Sequence, residues 1–178
     1  CWRASACGRA TEPPHSPTPQ LRTTMPLSIG AAAPDLTLPS HTTEPVSLAS
    51  YRGRPLVVLF FPLAFTSTCT EELCSVGEDL SAYRALGAEV VAISVDSPWV
   101  LARFRAECRA DFPFLSDFNR EASEAFGVLR AAPLGPGLRN VSDRAAFVLD
   151  AAGRVAYAWH STNPGVLPPF DEIQAALK

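Results

Sequence analysis

Two strand-like runs rich in β-branched or aromatic residues constrain the fold of this chain more than any other feature of the sequence. They are LVVLFF at 56–61 and EVVAISV at 89–95. Between them, residues 68–86 repeat apolar side chains at spacings of three and four. This predicts an amphipathic helix whose buried stripe contains Leu73, Val76, Leu80 and Tyr83. Continuous apolar strands joined by a helix are typical of a parallel sheet that is covered on both faces.

The remaining patterns extend this unit into an α/β domain. Short extended segments around a polar turn predict an N-terminal β-hairpin, and a tight turn at 150–153 predicts a second hairpin near the C-terminus. The predicted elements are hairpin strands at 35–38 and 46–48, a helix at 97–109, a strand at 114–116, a helix at 121–126, hairpin strands at 145–149 and 154–160, and a helix at 169–177. This order resembles the thioredoxin-like arrangement: a mixed central sheet flanked by helices, with an added N-terminal β-hairpin.

The first 24 residues differ in composition from the rest of the chain. They contain four prolines and no apolar periodicity, which predicts a disordered leader. The only methionine, Met25, follows directly, so we expect 1–24 to be an upstream-translated or added extension, with a transit peptide as the alternative. Residues 25–178 are a typical length for a single domain, and we expect one thioredoxin-like domain there.

Charge and hydropathy exclude several classes of partner. The net charge is −3, and the leader carries three arginines and one glutamate, so the rest of the chain carries −5. This disfavours nucleic-acid binding. The longest apolar run has ten residues, whereas a membrane helix needs about 20. Five irregularly spaced cysteines do not suit a secreted disulfide scaffold, and we expect a cytoplasmic protein.

One cysteine has the position of a reactive thiol. Cys69 falls in the first turn of the predicted helix, just beyond a buried strand, where unpaired backbone N–H groups and the helix dipole favour a thiolate. The hydroxyl groups of Thr66 and Thr68 lie next to it in sequence. The alternative is that Cys69 is a small apolar residue on the buried stripe of the helix. Taken alone, the position leaves both interpretations open.

The surrounding sequence favours the first interpretation. The segment FFPLAFTSTC at 60–69, with the pattern Pro62-x-x-x-Thr66-x-x-Cys69, resembles the active-site motif of the peroxiredoxins. Its flanks are similar to the AhpE-like and bacterioferritin-comigratory (PrxQ-like) branches. Other segments resemble peroxiredoxin landmarks in the usual order from residue 28 to the C-terminus: AAAPDLTL at 31–38, VVAISVDS at 90–97, FPFLSD at 112–117, FGV at 126–128 and DRAAFVLD at 143–150.

The resemblance implies a role for each residue of the motif. Cys69 would be the peroxidatic cysteine, which attacks a hydroperoxide and becomes a sulfenic acid. Thr66 would hydrogen-bond the peroxide, Pro62 would shield the thiolate from water, and Arg144 would supply a cation to the thiolate and the peroxide oxygens. Glu72 would hold an arginine in place. This chemistry needs no cofactor, and the three histidines show no metal-ligand spacing with the cysteines.

A second cysteine raises the question of how the sulfenic acid is resolved. Cys69 and Cys74 are spaced as in the PrxQ-like arrangement, which implies an intramolecular disulfide reduced by a thioredoxin-like protein. On an intact helix their Cα atoms would be about 8.6 Å apart, beyond the roughly 7 Å that a disulfide spans. The bridge therefore requires the first turns to unwind. The alternative is a one-cysteine enzyme, resolved by an external thiol of the mycothiol/mycoredoxin or glutaredoxin type, with Cys74 exposed.

The third cysteine outside the leader is expected to be structural. Cys108 shares one face of the predicted helix at 97–109 with Trp99, Val100 and Phe104, which favours a core position.

Other functions fit the sequence less well. A disulfide oxidoreductase would need a C-x-x-C pair at the helix start, which is missing, whereas a peroxide sensor or chaperone could use the same cysteine. We therefore expect a peroxidase for hydrogen peroxide and organic hydroperoxides, and a homodimer would fit the family.

Overall fold

The computed structural model describes residues 25–178. The predicted disordered leader, residues 1–24, lies outside the described residues. Within 25–178 the secondary structure follows the order predicted from the sequence. The strands are β1 (Thr37–Pro39), β2 (Pro45–Ser47), β3 (Leu56–Phe60), β4 (Glu89–Ser94), β5 (Phe114–Ser116), β6 (Arg144–Leu149) and β7 (Val155–Ser161). The helices are α1 (Ser67–Glu78), α2 (Leu80–Ala85), α3 (Pro98–Glu107), α4 (Glu121–Ala125) and α5 (Phe170–Ala175).

The central sheet has five strands in the order β5-β4-β3-β6-β7. Strands β3, β4 and β5 are parallel, whereas β6 runs antiparallel to both β3 and β7. Strands β1 and β2 form a separate antiparallel hairpin. The predicted α/β class, with a mixed sheet and an N-terminal β-hairpin, is confirmed.

The two faces of β3 bury different parts of the protein. Val57 and Leu59 point to a core that includes residues of α1, α2, α3 and α5. Val58 and Phe60 point to the opposite core, which includes residues of the N-terminal hairpin and α4. Since side chains alternate along a strand, a strand that is apolar at every position is buried on both sides, as the LVVLFF run predicts.

The strand register places two distant parts of the sequence side by side. In the antiparallel pair, Phe60 at the end of β3 lies opposite Ala145 near the start of β6. Arg144, the first residue of β6, therefore lies where the chain leaves β3 and enters α1. The fold brings it to the N-terminus of that helix, although 75 residues separate it from Cys69 in sequence.

The long helix predicted between β3 and β4 is two helices in the structure. It is interrupted at Asp79, whose φ and ψ of −91° and 8° leave the helical region. Gly77 and Asp79 both have low helix propensity, so a break at this point costs little helix stability. The predicted stripe of Leu73, Val76, Leu80 and Tyr83 is nevertheless fully buried, because α2 continues along the same face of the sheet.

The predicted core face of α3 is partly wrong. Phe104 and Cys108 are buried, but Trp99 and Val100 are exposed, and Leu101 takes the buried position in the first turns. The helix begins at Pro98 after the Ser97 cap, so Trp99 lies in its first turn, outside the packed region. Among residues 25–178, no helix is both long and apolar enough to cross a bilayer.

Candidate active site

Cys69 lies at the third position of α1, facing the interior. Strand β3 ends at Phe60, and the chain turns through Pro62 to Thr66, which is the N-cap of the helix. Phe65 has a φ of +63°, a conformation that non-glycine residues adopt at a cost. Its ring packs on Phe104 with a centroid distance of 5.1 Å, which helps to hold this turn. The first N–H groups of α1, which have no partner within a helix, therefore lie at the end of the helix that carries Cys69.

Arg144 contributes its side chain to the site from the start of β6, the strand that pairs with β3. Its Nη2 donates to the Cys69 Sγ over 3.3 Å and to the carbonyl oxygen of Pro164 over 2.7 Å. Its Nη1 donates to Glu72 Oε2, one helical turn after the cysteine. The side chains of Arg144 and Glu72 are both completely buried. A guanidinium has a rigid planar set of donors, so these three partners together fix its orientation against the sulfur.

Burial and the neighbouring charges shift the pKa values of Glu72 and Arg144 in opposite directions. Burial raises the pKa of Glu72 to about 7, although the charge of Arg144 and its hydrogen bond pull it down. Burial also lowers the pKa of Arg144, but the charges of Glu72 and Cys69 outweigh it, so this pKa is raised and the guanidinium stays protonated. Glu72 is therefore a carboxyl group that changes charge near neutral pH while in contact with the arginine that touches Cys69.

A cavity of about 250 Å³ opens in front of the sulfur. Its lining residues are Pro62, Thr66, Ser67, Thr68, Cys69, Leu134, Arg144, Pro164 and Gly165. The Thr66 hydroxyl donates its proton to the Leu63 carbonyl over 3.0 Å. Because that proton is engaged, the lone pairs of Thr66 Oγ1 are left to accept a hydrogen bond from a ligand. The cavity thus offers a hydroxyl acceptor on one side and a guanidinium donor on the other.

The five residues of the sequence hypothesis meet in this one place. Pro62, Thr66, Cys69 and Arg144 line the cavity, and Glu72 lies behind Arg144, out of contact with solvent. The predicted function of Glu72, to hold an arginine, matches its position. The roles of these residues in a reaction remain predictions from the sequence, which the geometry supports.

Three further residues position the site and were missed by the sequence reasoning. Asp96 accepts from the backbone N–H of Ala64 and from the Ser94 hydroxyl, both over 2.8 Å, and so ties the turn before α1 to the end of β4. Ser142 donates to the Phe61 carbonyl over 2.8 Å. The third is Pro164, whose carbonyl holds Arg144. Asp96 could have been found, since it follows a parallel strand at the same sheet edge as Cys69. Pro164 gave no signal.

The candidate resolving cysteine lies on the same intact helix as Cys69. The helix α1 is continuous from Ser67 to Glu78, so the distance argument against a direct bridge applies to this conformation. All three described cysteines are free. Cys74 is half-buried and packs against the core that contains Cys108, so it is less exposed than a one-cysteine enzyme would lead one to expect.

No group of three or more His, Cys, Asp or Glu side chains in residues 25–178 could hold a metal ion. The chemistry that this part of the chain offers is that of a buried thiol beside a cation.

Comparisons with known proteins agree with this geometry. The profile of the AhpC/TSA family matches residues 29–158. Peroxiredoxin Bcp of Escherichia coli K12 is 31% identical over 134 residues, which covers 75% of this chain and 86% of that protein.

Two solved structures are similar to this chain over almost their whole length. Peroxidoxin BcpB from Mycobacterium tuberculosis is 31% identical with a TM-score of 0.72, covering 84% of this chain and 95% of that one. The bacterioferritin comigratory protein of Xanthomonas campestris is 27% identical with a TM-score of 0.72, covering 85% and 95% respectively. The predicted thioredoxin-like fold and the likeness to the bacterioferritin-comigratory branch are thereby confirmed.

Proposed function

Since this chain belongs to the AhpC/TSA family, whose named relatives are peroxiredoxins, we propose that it reduces hydroperoxides with Cys69 as the nucleophile. The observation that carries the proposal is the 3.3 Å hydrogen bond from Arg144 Nη2 to the Cys69 sulfur. A buried sulfur in contact with a fixed cation, at a helix N-terminus and open to a cavity, is arranged as a nucleophile. A core cysteine would need neither the cation nor the cavity.

The contacts suit displacement at a peroxide oxygen. The thiolate of Cys69 attacks the terminal oxygen of ROOH, so that an S–O bond forms while the O–O bond breaks. The sulfur is oxidised to a sulfenic acid, and the leaving alkoxide takes a proton from solvent to become ROH. Negative charge moves from sulfur to the leaving oxygen during this step, and Arg144, already held by Glu72 and Pro164, is placed to stabilise it.

Pro62 and Thr66 complete the substrate site in this proposal. Pro62 lines the same cavity as Cys69 with an apolar ring that cannot donate a hydrogen bond, and its proposed role is to limit hydration of the thiolate. The Thr66 oxygen accepts the O–H of the peroxide, since its own proton is committed to Leu63. Together they orient the oxygen that is attacked.

For Cys74 to react with the sulfenic acid of Cys69, the first turns of α1 must unwind. The local structure lowers the free-energy cost of this unwinding. The N-cap Thr66 makes no side-chain hydrogen bond to the helix, and the first turn contains no acidic residue. Phe65, just before the helix, has an unfavourable positive φ that unwinding relieves. We therefore propose that the Cys69 sulfenic acid condenses with the Cys74 thiol, releasing water and forming a disulfide.

The proposed chemistry also indicates which substrates and reductants the protein would use. A cavity of about 250 Å³ admits hydrogen peroxide and small organic hydroperoxides, and alkyl peroxide reduction activity is described for the Xanthomonas campestris relative. A dithiol reductant of the thioredoxin type would recycle the disulfide, whereas mycothiol/mycoredoxin or glutaredoxin would serve a one-cysteine cycle. Both cycles need a reducing compartment, so we place the enzyme in the cytoplasm. A homodimer, as expected for the family, is part of the proposal.

Rapid mixing of the reduced protein with peroxide tests the function. We expect wild type and Cys74→Ser to be oxidised at the same fast rate and Cys69→Ser not at all, with steady turnover by thioredoxin only when Cys74 is present. Oxidation of Cys69 as slow as that of a free thiol would overturn the proposed peroxidase function. Fast oxidation that thioredoxin, mycoredoxin and glutaredoxin all fail to reverse would favour a peroxide sensor instead.

A further inference from the structure

Cys108 is held against the helix that carries Cys69 and Cys74. It is the C-cap of α3, 4% exposed, and its Sγ lies 4.0 Å from the carbonyl oxygen of Thr70 in α1. Its backbone oxygen lies only 3.2 Å from where a Cβ on Gly77 would be. Thr70 and Gly77 are seven residues apart and so lie on one face of α1, two turns from each other.

Cys74 lies on that same face, midway between these two contacts. It is four residues after Thr70 and three before Gly77, and it packs on the apolar cluster that contains Cys108. Burial, and after it the neighbouring Cys74 side chain, raises the pKa of Cys108. The residue that sequence patterns treat as structural is therefore the thiol neighbour of the candidate resolving cysteine.

We propose that Cys108 is a third redox cysteine, which takes over the disulfide from Cys69 and leaves the oxidised enzyme with a Cys74–Cys108 bridge. The proposal rests on the peroxidase function of Cys69. Its geometric basis is that, while α1 is folded, Cys74 packs on the cluster that contains Cys108 and lies on the face of α1 that Cys108 contacts. Cys69 and Cys74, in contrast, meet only when this helix unwinds.

The exchange is balanced without any further reagent. The first disulfide joins Cys69 and Cys74 after water has left the sulfenic acid. The thiolate of Cys108 then attacks the Cys74 sulfur, so that the Cys74–Cys108 bond forms, the Cys69–Cys74 bond breaks and Cys69 leaves as a thiolate. In total, ROOH and the two thiols of Cys74 and Cys108 give ROH, water and one disulfide.

Two features of the structure drive the exchange in this direction. The leaving group is favoured because Arg144 stands ready to pair with the Cys69 thiolate, as it does in the reduced protein. The attacking thiol becomes available when needed, because the first turns of α1, including the Thr70 carbonyl, cover Cys108 only while they are helical. Unwinding thus exposes Cys108 to water at the moment that Cys74 is oxidised. Afterwards α1 refolds with Cys69 free.

Peptide mapping of the peroxide-treated full chain tests the proposal, because the cleavage sites separate the three thiols. Cys1 and Cys7 are replaced by Ser in every protein used. Trypsin leaves Cys69 and Cys74 in one peptide, 53–84, and puts Cys108 in the four-residue peptide 106–109. Glutamate-specific cleavage after Glu71 or Glu72 then separates Cys69 from Cys74. The reduced protein receives one equivalent of hydrogen peroxide and is quenched with N-ethylmaleimide at times from milliseconds to minutes.

We expect an internal Cys69–Cys74 disulfide first, followed by a cross-link between the peptides of Cys74 and Cys108 in most of the protein, with Cys69 alkylated. In Cys108→Ser or Cys108→Ala, oxidation should stop at Cys69–Cys74. The proposal is overturned if Cys108 in the wild type remains fully alkylated at all times while Cys69–Cys74 persists. A failure of the proposed peroxidase function would give a different result. In that case the double variant Cys74→Ser/Cys108→Ser would form no dimedone-reactive sulfenic acid at Cys69.

Discussion

The guanidinium of Arg144 donates a hydrogen bond to the sulfur of Cys69 over 3.3 Å, although β6 and α1 lie far apart in the chain. The contact exists because antiparallel pairing of β6 with β3 puts the first residue of one strand beside the last residue of the other. Both side chains are almost inaccessible to solvent. In a buried position, a hydrogen bond to a charged group is stronger than it would be in water.

Replacement of Arg144 should therefore slow the oxidation of Cys69. For Arg144→Met we expect the second-order rate constant with hydrogen peroxide to fall by about 10² to 10³, the usual loss when one transition-state donor is removed. Arg144→Lys should lie in between, because a single ammonium cannot reach Cys69, Glu72 and Pro164 in the same geometry. Stopped-flow oxidation of the reduced protein measures this.

Arg154→Lys is the matched control for these variants. Arg154 is an exposed arginine at the far end of the β6–β7 hairpin, where it donates to the Gly30 carbonyl. We expect its rate constant to equal that of the wild type. Equal rates for Arg144→Met and the wild type would remove Arg144 from the mechanism.

Glu72→Gln should change how stability depends on pH. Burial raises the pKa of Glu72 in the folded protein to about 7 from an ordinary value near 4.5. A raised pKa means that the folded state holds the proton more tightly, so this stabilising contribution is complete below pH 4.5 and is lost as the pH rises toward 7. Wild type should lose up to about 3 kcal/mol relative to Glu72→Gln across this window, at 1.36 kcal/mol for each pKa unit.

Denaturant unfolding of both proteins at pH 4.5, 5.5, 7 and 8 measures the difference. The two curves should converge or cross within this window and run parallel above it. A constant difference at all four values would show that Glu72 does not titrate there.

Asp96→Ala should loosen the turn that presents Thr66 and Cys69. The carboxylate accepts the N–H of Ala64, and its loss leaves that donor unpaired in a half-buried position. We expect unfolding free energy to fall by about 1 to 2 kcal/mol and the oxidation rate constant to fall by about tenfold, since a shift of 1 Å at the site slows reaction strongly.

Asp96→Asn distinguishes positioning from charge, because it keeps one acceptor oxygen and should restore most of the rate. Asp35→Ala serves as the control. It removes a carboxylate from an exposed ion pair with Arg52, and such pairs contribute little to stability. If Asp96→Ala reacts as fast as Asp35→Ala, the turn is held by other contacts.

Gly77→Ala should destabilise the protein, although alanine is the better helix former by about 1 kcal/mol. The added methyl would meet the Cα of Ala110 and the carbonyl oxygen of Cys108, each at 3.2 Å, and both belong to backbone that cannot rotate away. Overpacking of this kind costs about 1 to 3 kcal/mol, so we expect a net loss of about 1 kcal/mol in denaturant unfolding.

Ser81→Ala, at an exposed position of α2, is the control and should stay within about 0.5 kcal/mol of the wild type. A stabilised Gly77→Ala would mean that the segment after α3 gives way, and that the approach of Cys108 to α1 is looser than the structure shows.

Much of the fold followed from local patterns. The LVVLFF and EVVAISV runs indicated strands buried on both faces, and both are central strands of the sheet. The break of the long helix at Asp79 was missed, because apolar periodicity continues across it and the sequence shows no proline there. The exposure of Trp99 was also missed, since periodicity cannot tell where along a helix the packing begins.

The candidate site followed from the motif only in part. Cys69, Thr66 and Pro62 are neighbours in sequence, so their proximity in space could be predicted. Ser142 and Pro164 were not found, because single hydrogen bonds that involve backbone carbonyl groups leave no pattern in one sequence. The packing of Cys74 on the cluster that contains Cys108 was hidden for a different reason, namely that the sequence does not say how the two helices that carry these residues are placed relative to each other.

By itself, then, the sequence determined which segments are strands and helices, and that a cysteine begins the helix after a buried strand, because side-chain periodicity and helix-end chemistry act over a few residues. The tertiary structure alone decided which cation touches that cysteine, that Glu72 and Pro164 fix the orientation of that cation, and that Cys74 packs on the cluster that contains Cys108. Those relationships depend on strand register and on the way helices pack on the sheet, and both are set by burial summed over the whole core rather than by any short stretch of residues.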